Sequence, residues 1–242
     1  KNGPVIETTT VADLDVGEPT HIDIVTRTIE VLGRPAEVFG LVQQGSGAHG
    51  LVVDPGEMID VVLHNHTGEV TQVHWHGQEP PGPLDGNPYY SALAPNSVSR
   101  WRYAPRTGTH WMHSHSGLQE QRLLAAPLIV RTADEVAEDR QEVVVMLHDF
   151  SFTPPEEILA RLQETEEMPE AGGHGGGHDL NDVEYDAFLA NEHTLDDPEV
   201  VRVEKSGRVR LRLINAATAT NFLIDLGELS AWLVATDGNA CV

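Results

Sequence analysis

At 242 residues, 40% of them apolar, the chain has enough material for a buried core in one large or two modest domains. Its formal charge of −23, from 38 acidic against 15 basic residues, repels phosphate backbones and anionic headgroups and so argues against nucleic acid as a partner. The single cysteine, Cys241, excludes an intrachain disulfide and a cysteine-built zinc site.

No run of about 18 apolar residues is present to span a bilayer, and the opening "KNGPVIETTT" lacks a charged-then-apolar leader. The expectation is a soluble chain without membrane insertion, with any export signal already removed. Lysine occurs only at Lys1 and Lys205, and the acidic, arginine-based surface suits a periplasmic or extracellular setting as well as an ordinary solvated face.

The 22 glycines and 15 prolines divide the chain into short runs rich in Val, Ile and Leu, which predicts an all-β fold. In chain order, strands are predicted at 21–31, 58–67, 71–77, 97–105, 108–115 and 125–132, enough for a Greek-key β-sandwich. The charged stretch 133–141, "ADEVAEDRQ", has no apolar period and reads as a linker, so that a first domain over 1–134 is followed by a second over 142–242.

In the second half, strands are predicted at 142–150, 183–190, 200–205, 208–216, 221–227 and 231–238. "RVRLRLI" alternates strictly, with Val209, Leu211 and Leu213 on one face. A short helix is expected near 155–166, from prolines at its start, an acidic first turn, and Ile158, Leu159 and Leu162 at helical spacing. The segment 170–182, "EAGGHGGGHDLND", is too glycine-rich to pack and reads as a flexible loop, whose His174 and His178 are either incidental or transient metal ligands.

Two motifs carry chemistry. His74 and His76 flank Trp75 in "VHWHG", and His113 and His115 flank Ser114 in "MHSHSG". On a strand, alternate side chains point the same way, so each pair projects from one face. Two such pairs form a wall of four imidazoles, a donor set that favours copper, then zinc, over hard cations. His110 falls out of register with the pair and is expected to point away from it, while His64 and His66 in "VLHNHTG" read as strand-end surface residues. Trp75 and Trp111 are expected to pack behind the ligands.

"VHWHGQEPPGPLDGNP", followed by "YAPRTGTHWMHSHSGLQEQ" and "APLIV", resembles the first cupredoxin domain of multicopper oxidases, especially the bacterial laccase-like and copper-resistance branch. "DLNDVEYDAFLANEHTLDDPEVVRV" (179–203) and "RLRLINAATATNFLIDLG" are similar to part of the second domain of that branch. The resemblance implies cupredoxin-like domains in tandem, the second one incomplete, and a trinuclear copper cluster shared between first and third domains that reduces dioxygen to water. It assigns His74 to the type 2 copper, His76, His113 and His115 to the type 3 pair, and Asp85 in "PLDGNP" to the acidic group that assists proton delivery. The bland alternative for Asp85 is an ordinary turn residue before Gly86.

The resemblance also implies a type 1 copper held partly by a cysteine between two histidines. Cys241 lies between Ala240 and Val242 and does not match that pattern. The type 1 site is therefore expected in a missing C-terminal cupredoxin domain or on another chain, and the 242 residues are expected to be the inactive front portion of a laccase-like oxidase. Its partners would be dioxygen and a small-molecule reducing substrate such as a phenol, an aromatic amine or a metal ion. The competing readings are a copper-sequestering protein without oxidase activity and a metal-free structural cupredoxin.

Overall fold

The computed structural model describes residues 18–166 and 183–241. The predicted 170–182 loop lies entirely, with His174 and His178, outside the described residues. The chain is all-β, as its turn-divided apolar runs predict. β1 (Thr20–Val31) turns through Leu32 and Gly33, both in the left-handed region at φ 51° and 72°, into β2 (Arg34–Gln43). Then come β3 (Leu51–Val53), β4 (Ile59–Asn65), β5 (Val73–His76), β6 (Val98–Tyr103), β7 (Gly108–Ser114) and β8 (Ala125–Val130). β2 and β3 were not among the predicted strands.

These eight strands form two four-stranded sheets, ordered β2-β1-β4-β6 and β3-β8-β7-β5. The alternating apolar residues of both face inward. Ile22, Ile24 and Leu63 from one sheet meet Trp75, Met112 and Leu128 from the other, all fully buried. Burying each such side chain is worth about 1.5–3 kcal/mol against leaving it in water. The polar halves of the same strands are thereby driven to the two outer faces of the sandwich.

The expected linker contains α1 (Ala133–Ala137), capped by Thr132, whose hydroxyl accepts from the Glu135 N–H while the Glu135 carboxylate accepts from the Thr132 N–H. Beyond it, β9 (Gln141–Phe150) pairs with β10 (Ala187–Ala190) and with β11 (Val209–Asn215), and α2 (Pro155–Glu166) occupies the expected helical stretch. The last elements are two-residue strands, β12 (Ala235–Thr236) and β13 (Asn239–Ala240).

The runs 200–205 and 221–227 are not strands, and of 231–238 only Ala235 and Thr236 are. Val200, Leu223 and Trp232 in these runs are 81%, 97% and 83% exposed. No sheet among the described residues covers them, and a β-prone run becomes a strand only where it has a surface to pack on.

β11 also presents the unexpected face. Val209, Leu211 and Leu213 do share one side, but it is the open one; Arg210, Arg212 and Ile214 point inward. The acidic residues read as a linker explain this. Glu135 and Glu138, with Glu142 just beyond them, form ion pairs with Arg210, and Glu135 and Glu142 pair with Arg212, so a buried guanidinium and a half-buried one are neutralised. The three-stranded sheet joins the sandwich through Ala125, Met146, Ile214 and Ala216, with Trp111 packed against them.

Candidate metal centre

β5 and β7 are antiparallel neighbours, registered so that His74 lies directly opposite His113, and His76 opposite Trp111. Val73, Trp75, Met112 and Ser114 fill the buried side of these strands, which leaves the imidazoles on the outer face of the sandwich. His115 follows β7 and its ring stacks on that of His74, with centroids 4.4 Å apart and planes 17° from parallel.

One nitrogen from each of His74, His113 and His115 lies within 4.8 Å of the other two. His76 stands at the rim of this triad. Its Nδ1 is 3.3 Å from His113 Nε2, and its ring stacks on Trp111 with centroids 5.0 Å apart. Three of the four predicted histidines therefore converge on one point, and the fourth adjoins it.

Each of the two strand-borne rings that face each other is held from behind. His74 Nδ1 donates to Asp85 Oδ1 at 2.8 Å, leaving Nε2 as the free ligand nitrogen of the neutral ring. His113 Nδ1 donates to the Ser114 carbonyl at 3.3 Å and lies 3.1 Å from Glu120 Oε2, which commits its Nε2 likewise. Burial, the largest influence, pulls His74 below the ordinary imidazole pKa; the Asp85 carboxylate opposes it, and His115 and His113 add to it. Burial and His113 lower His76 in the same way. Neutral imidazoles are the form that binds metal.

The loop that delivers Asp85 needs the glycine after it. Gly86 has φ +61°, and a Cβ there would sit 3.0 Å from His74 Cα and 3.1 Å from His115 Nδ1. Asp85 is thus both the turn residue of the bland reading and the partner of His74.

Trp75 packs behind the wall, fully buried. Trp111 does not. It shares the outer face with the histidines because it is two residues from His113, and it stacks on His113 at 4.2 Å. His110 points inward, 3% exposed, and its Nε2 donates to the Thr107 carbonyl at 3.1 Å. Glu120 was not foreseen: it lies in the turn following β7, where no strand or helix period reports where a side chain points.

The donor set fits copper. Three nitrogen ligands within reach of one ion, two with the far ring nitrogen tied to an acceptor, suit a borderline divalent metal and offer nothing of the oxygen cage that calcium or magnesium requires. Among the described residues no helix is long and apolar enough to cross a membrane.

Residues 24–135 match the family model for multicopper oxidases. The chain is 30% identical over 199 residues to the multicopper oxidase MmcO of Mycobacterium tuberculosis, across 76% of this chain and 40% of that protein. It is 27% identical over 217 residues to a copper resistance protein A homolog of Pseudomonas syringae pv. tomato, across 76% of this chain and 37% of the other. The chain thus spans well under half the length of these relatives. Among solved structures, Fet3p, a multicopper oxidase that functions in iron import, superposes with a TM-score of 0.63 at 17% identity, over 81% of this chain and 36% of its own. A McoA multicopper oxidase variant from Aquifex aeolicus gives 0.62 at 20% identity, over 84% and 44%. At these identities the structural likeness speaks for the fold.

Proposed function

We propose that this chain, which belongs to the multicopper oxidase family, supplies the first-domain half of a copper cluster that reduces dioxygen to water in a laccase-like oxidase. The observation that carries the reading is the convergence of His74, His113 and His115 within 4.8 Å, with His76 beside them. The first cupredoxin-like domain is taken to run to about residue 134 and the second from 142, with type 1 copper and the remaining cluster ligands on a further domain or chain. The periplasm or the extracellular space is the proposed location.

Bound copper would supply the one-electron chemistry that dioxygen reduction requires. The chain's own residues set the stage for it. Asp85 holds the proton on His74 Nδ1 and so points Nε2 outward; Glu120 and the Ser114 carbonyl do the same for His113. Reducing one dioxygen to two waters consumes four protons, and Asp85, whose side chain is 32% exposed, would pass them from solvent. Trp111, stacked on both His76 and His113, keeps those two rings from turning away.

Copper titration of the full chain under anaerobic conditions, followed by absorption and EPR, tests this. Stoichiometric copper(II) with nitrogen hyperfine structure is expected at the β5–β7 wall, that equivalent being lost in His113→Ala, together with oxygen uptake once the remaining domain is supplied. Copper binding without oxygen uptake in that reconstituted protein would leave the sequestering reading standing instead. No stoichiometric copper would overturn both.

A further inference from the structure

We infer that the opposite outer face of the sandwich carries a second metal site, formed by Asp23, His64 and His66, for a divalent ion of borderline softness such as zinc(II) or copper(II). β1 and β4 are parallel partners, registered so that Asp23 lies directly beside His64. Strand alternation sorts the rest. Ile22, Ile24, Leu63 and Asn65 are buried in the core, so His21, Asp23, His64 and His66 share the outward side. One carboxylate oxygen and one nitrogen from each of His64 and His66 lie within 4.8 Å of one another.

The groups are held in place rather than scattered. His66 Nε2 donates to Asp23 Oδ1 at 3.0 Å, and Gln44 Nε2 donates to the same oxygen at 2.7 Å. His21 Nδ1 lies 2.8 Å from His64 Nε2, a hydrogen bond that fixes the His64 ring. The rings of His64 and His66 are parallel within 2°, their centroids 6.0 Å apart. The His66 N–H also donates to the Ile24 carbonyl at 2.9 Å, so the segment after β4 stays clamped to β1.

Two imidazoles and a carboxylate are a mixed nitrogen and oxygen set that suits zinc(II) and copper(II), not calcium or magnesium. The His66 side chain is 51% exposed, so water can complete the coordination. The site sits on sheet β2-β1-β4-β6, whereas the His74 cluster sits on the other sheet. The two metal readings are therefore independent, and an ion here would bridge β1 to β4.

Zinc(II) titration of the full chain against a chromophoric chelator tests the assignment. Beside any zinc at the β5–β7 wall, the wild-type chain is expected to bind one further equivalent that Asp23→Asn combined with His66→Ala weakens at least tenfold, while His113→Ala leaves that equivalent intact. Anomalous diffraction from a zinc-soaked wild-type crystal should show a peak between Asp23, His64 and His66, and this holds even if a variant folds poorly. Displacement of that zinc by one equivalent of copper(II), or its retention, identifies the preferred ion, and either result supports the site. Unchanged zinc affinity in the double variant, or a peak at the β5–β7 wall alone, would overturn it.

Discussion

Asp85→Ala removes the acceptor 2.8 Å from His74 Nδ1, and the structure separates its two consequences by size. For stability the loss is small. The His74 and Asp85 side chains are 21% and 32% exposed, so water screens the pair, and about 1 kcal/mol or less is expected. Metal affinity should suffer more. Without the carboxylate the neutral ring has no fixed tautomer, its Nε2 loses basicity, and only the stacking on His115 restrains its rotation; losses of this kind run to about 10–100-fold, or roughly 1.4–2.7 kcal/mol. Asp85→Asn retains an oxygen acceptor without the charge and should fall near the tenfold end. Copper(II) competition against a chelator at pH 7, with thermal melting of the metal-free variants in parallel, reads both quantities. If Asp85→Ala binds copper at the β5–β7 wall within about twofold of the wild type while His74→Ala loses that equivalent, the carboxylate does not orient His74.

Glu120→Ala should weaken copper less than Asp85→Ala in the same titration, by under about tenfold, because His113 Nδ1 keeps the Ser114 carbonyl at 3.3 Å. Gly86→Ala places a side chain at φ +61° and within 3.1 Å of His115 Nδ1, so denaturant melts should show a loss of about 1–3 kcal/mol and copper affinity should fall with it. His148 is 6% exposed, neither ring nitrogen has a hydrogen-bond partner among the described residues, and burial holds its pKa down to about 4 from 6.5. The unfolded chain therefore binds the extra proton between those values, so His148 contributes fully above pH 6.5 and loses about 3 kcal/mol as the pH falls to 4; urea melts of His148→Leu should lack that slope, and an unchanged slope would refute the assignment.

What the sequence made legible follows from the range over which each signal acts. His74, His76, His113 and His115 could be placed on one face because a period of two needs no knowledge of neighbouring strands. β2 could not, since Pro35, Glu37 and Gly40 interrupt its apolar residues; its identity comes from the left-handed Leu32–Gly33 turn that folds it back along β1. The inward face of β11 was hidden for a different reason. An apolar-against-arginine alternation points the arginines outward unless carboxylates wait for them, and Glu135 and Glu142 lie some seventy residues away. Glu120 and the clustering of His64 with Asp23 were hidden in the same way, the first by a turn and the second by a strand pairing that joins residues 41 apart in sequence.

The outward row of β7 shows why the metal site and the second sheet cannot be treated as separate attachments to the sandwich. Because β7 alternates, Thr109, Trp111 and His113 form a single line on its outer side. Thr109 Oγ1 accepts from Arg212 Nη1 at 2.9 Å, so one end of the line is fastened to β11 and to its acidic partners. Trp111 packs against Met146, Ile214 and Ala216, and on its other side stacks on His113. The ring that presents the candidate metal with a nitrogen is thus wedged by an indole whose own position depends on β9 and β11. In an isolated sandwich this row would be solvated and its rotamers free. Here the docking of the three-stranded sheet removes that freedom, and the ion pairs of Arg212 belong to the same structural chain that orients His113.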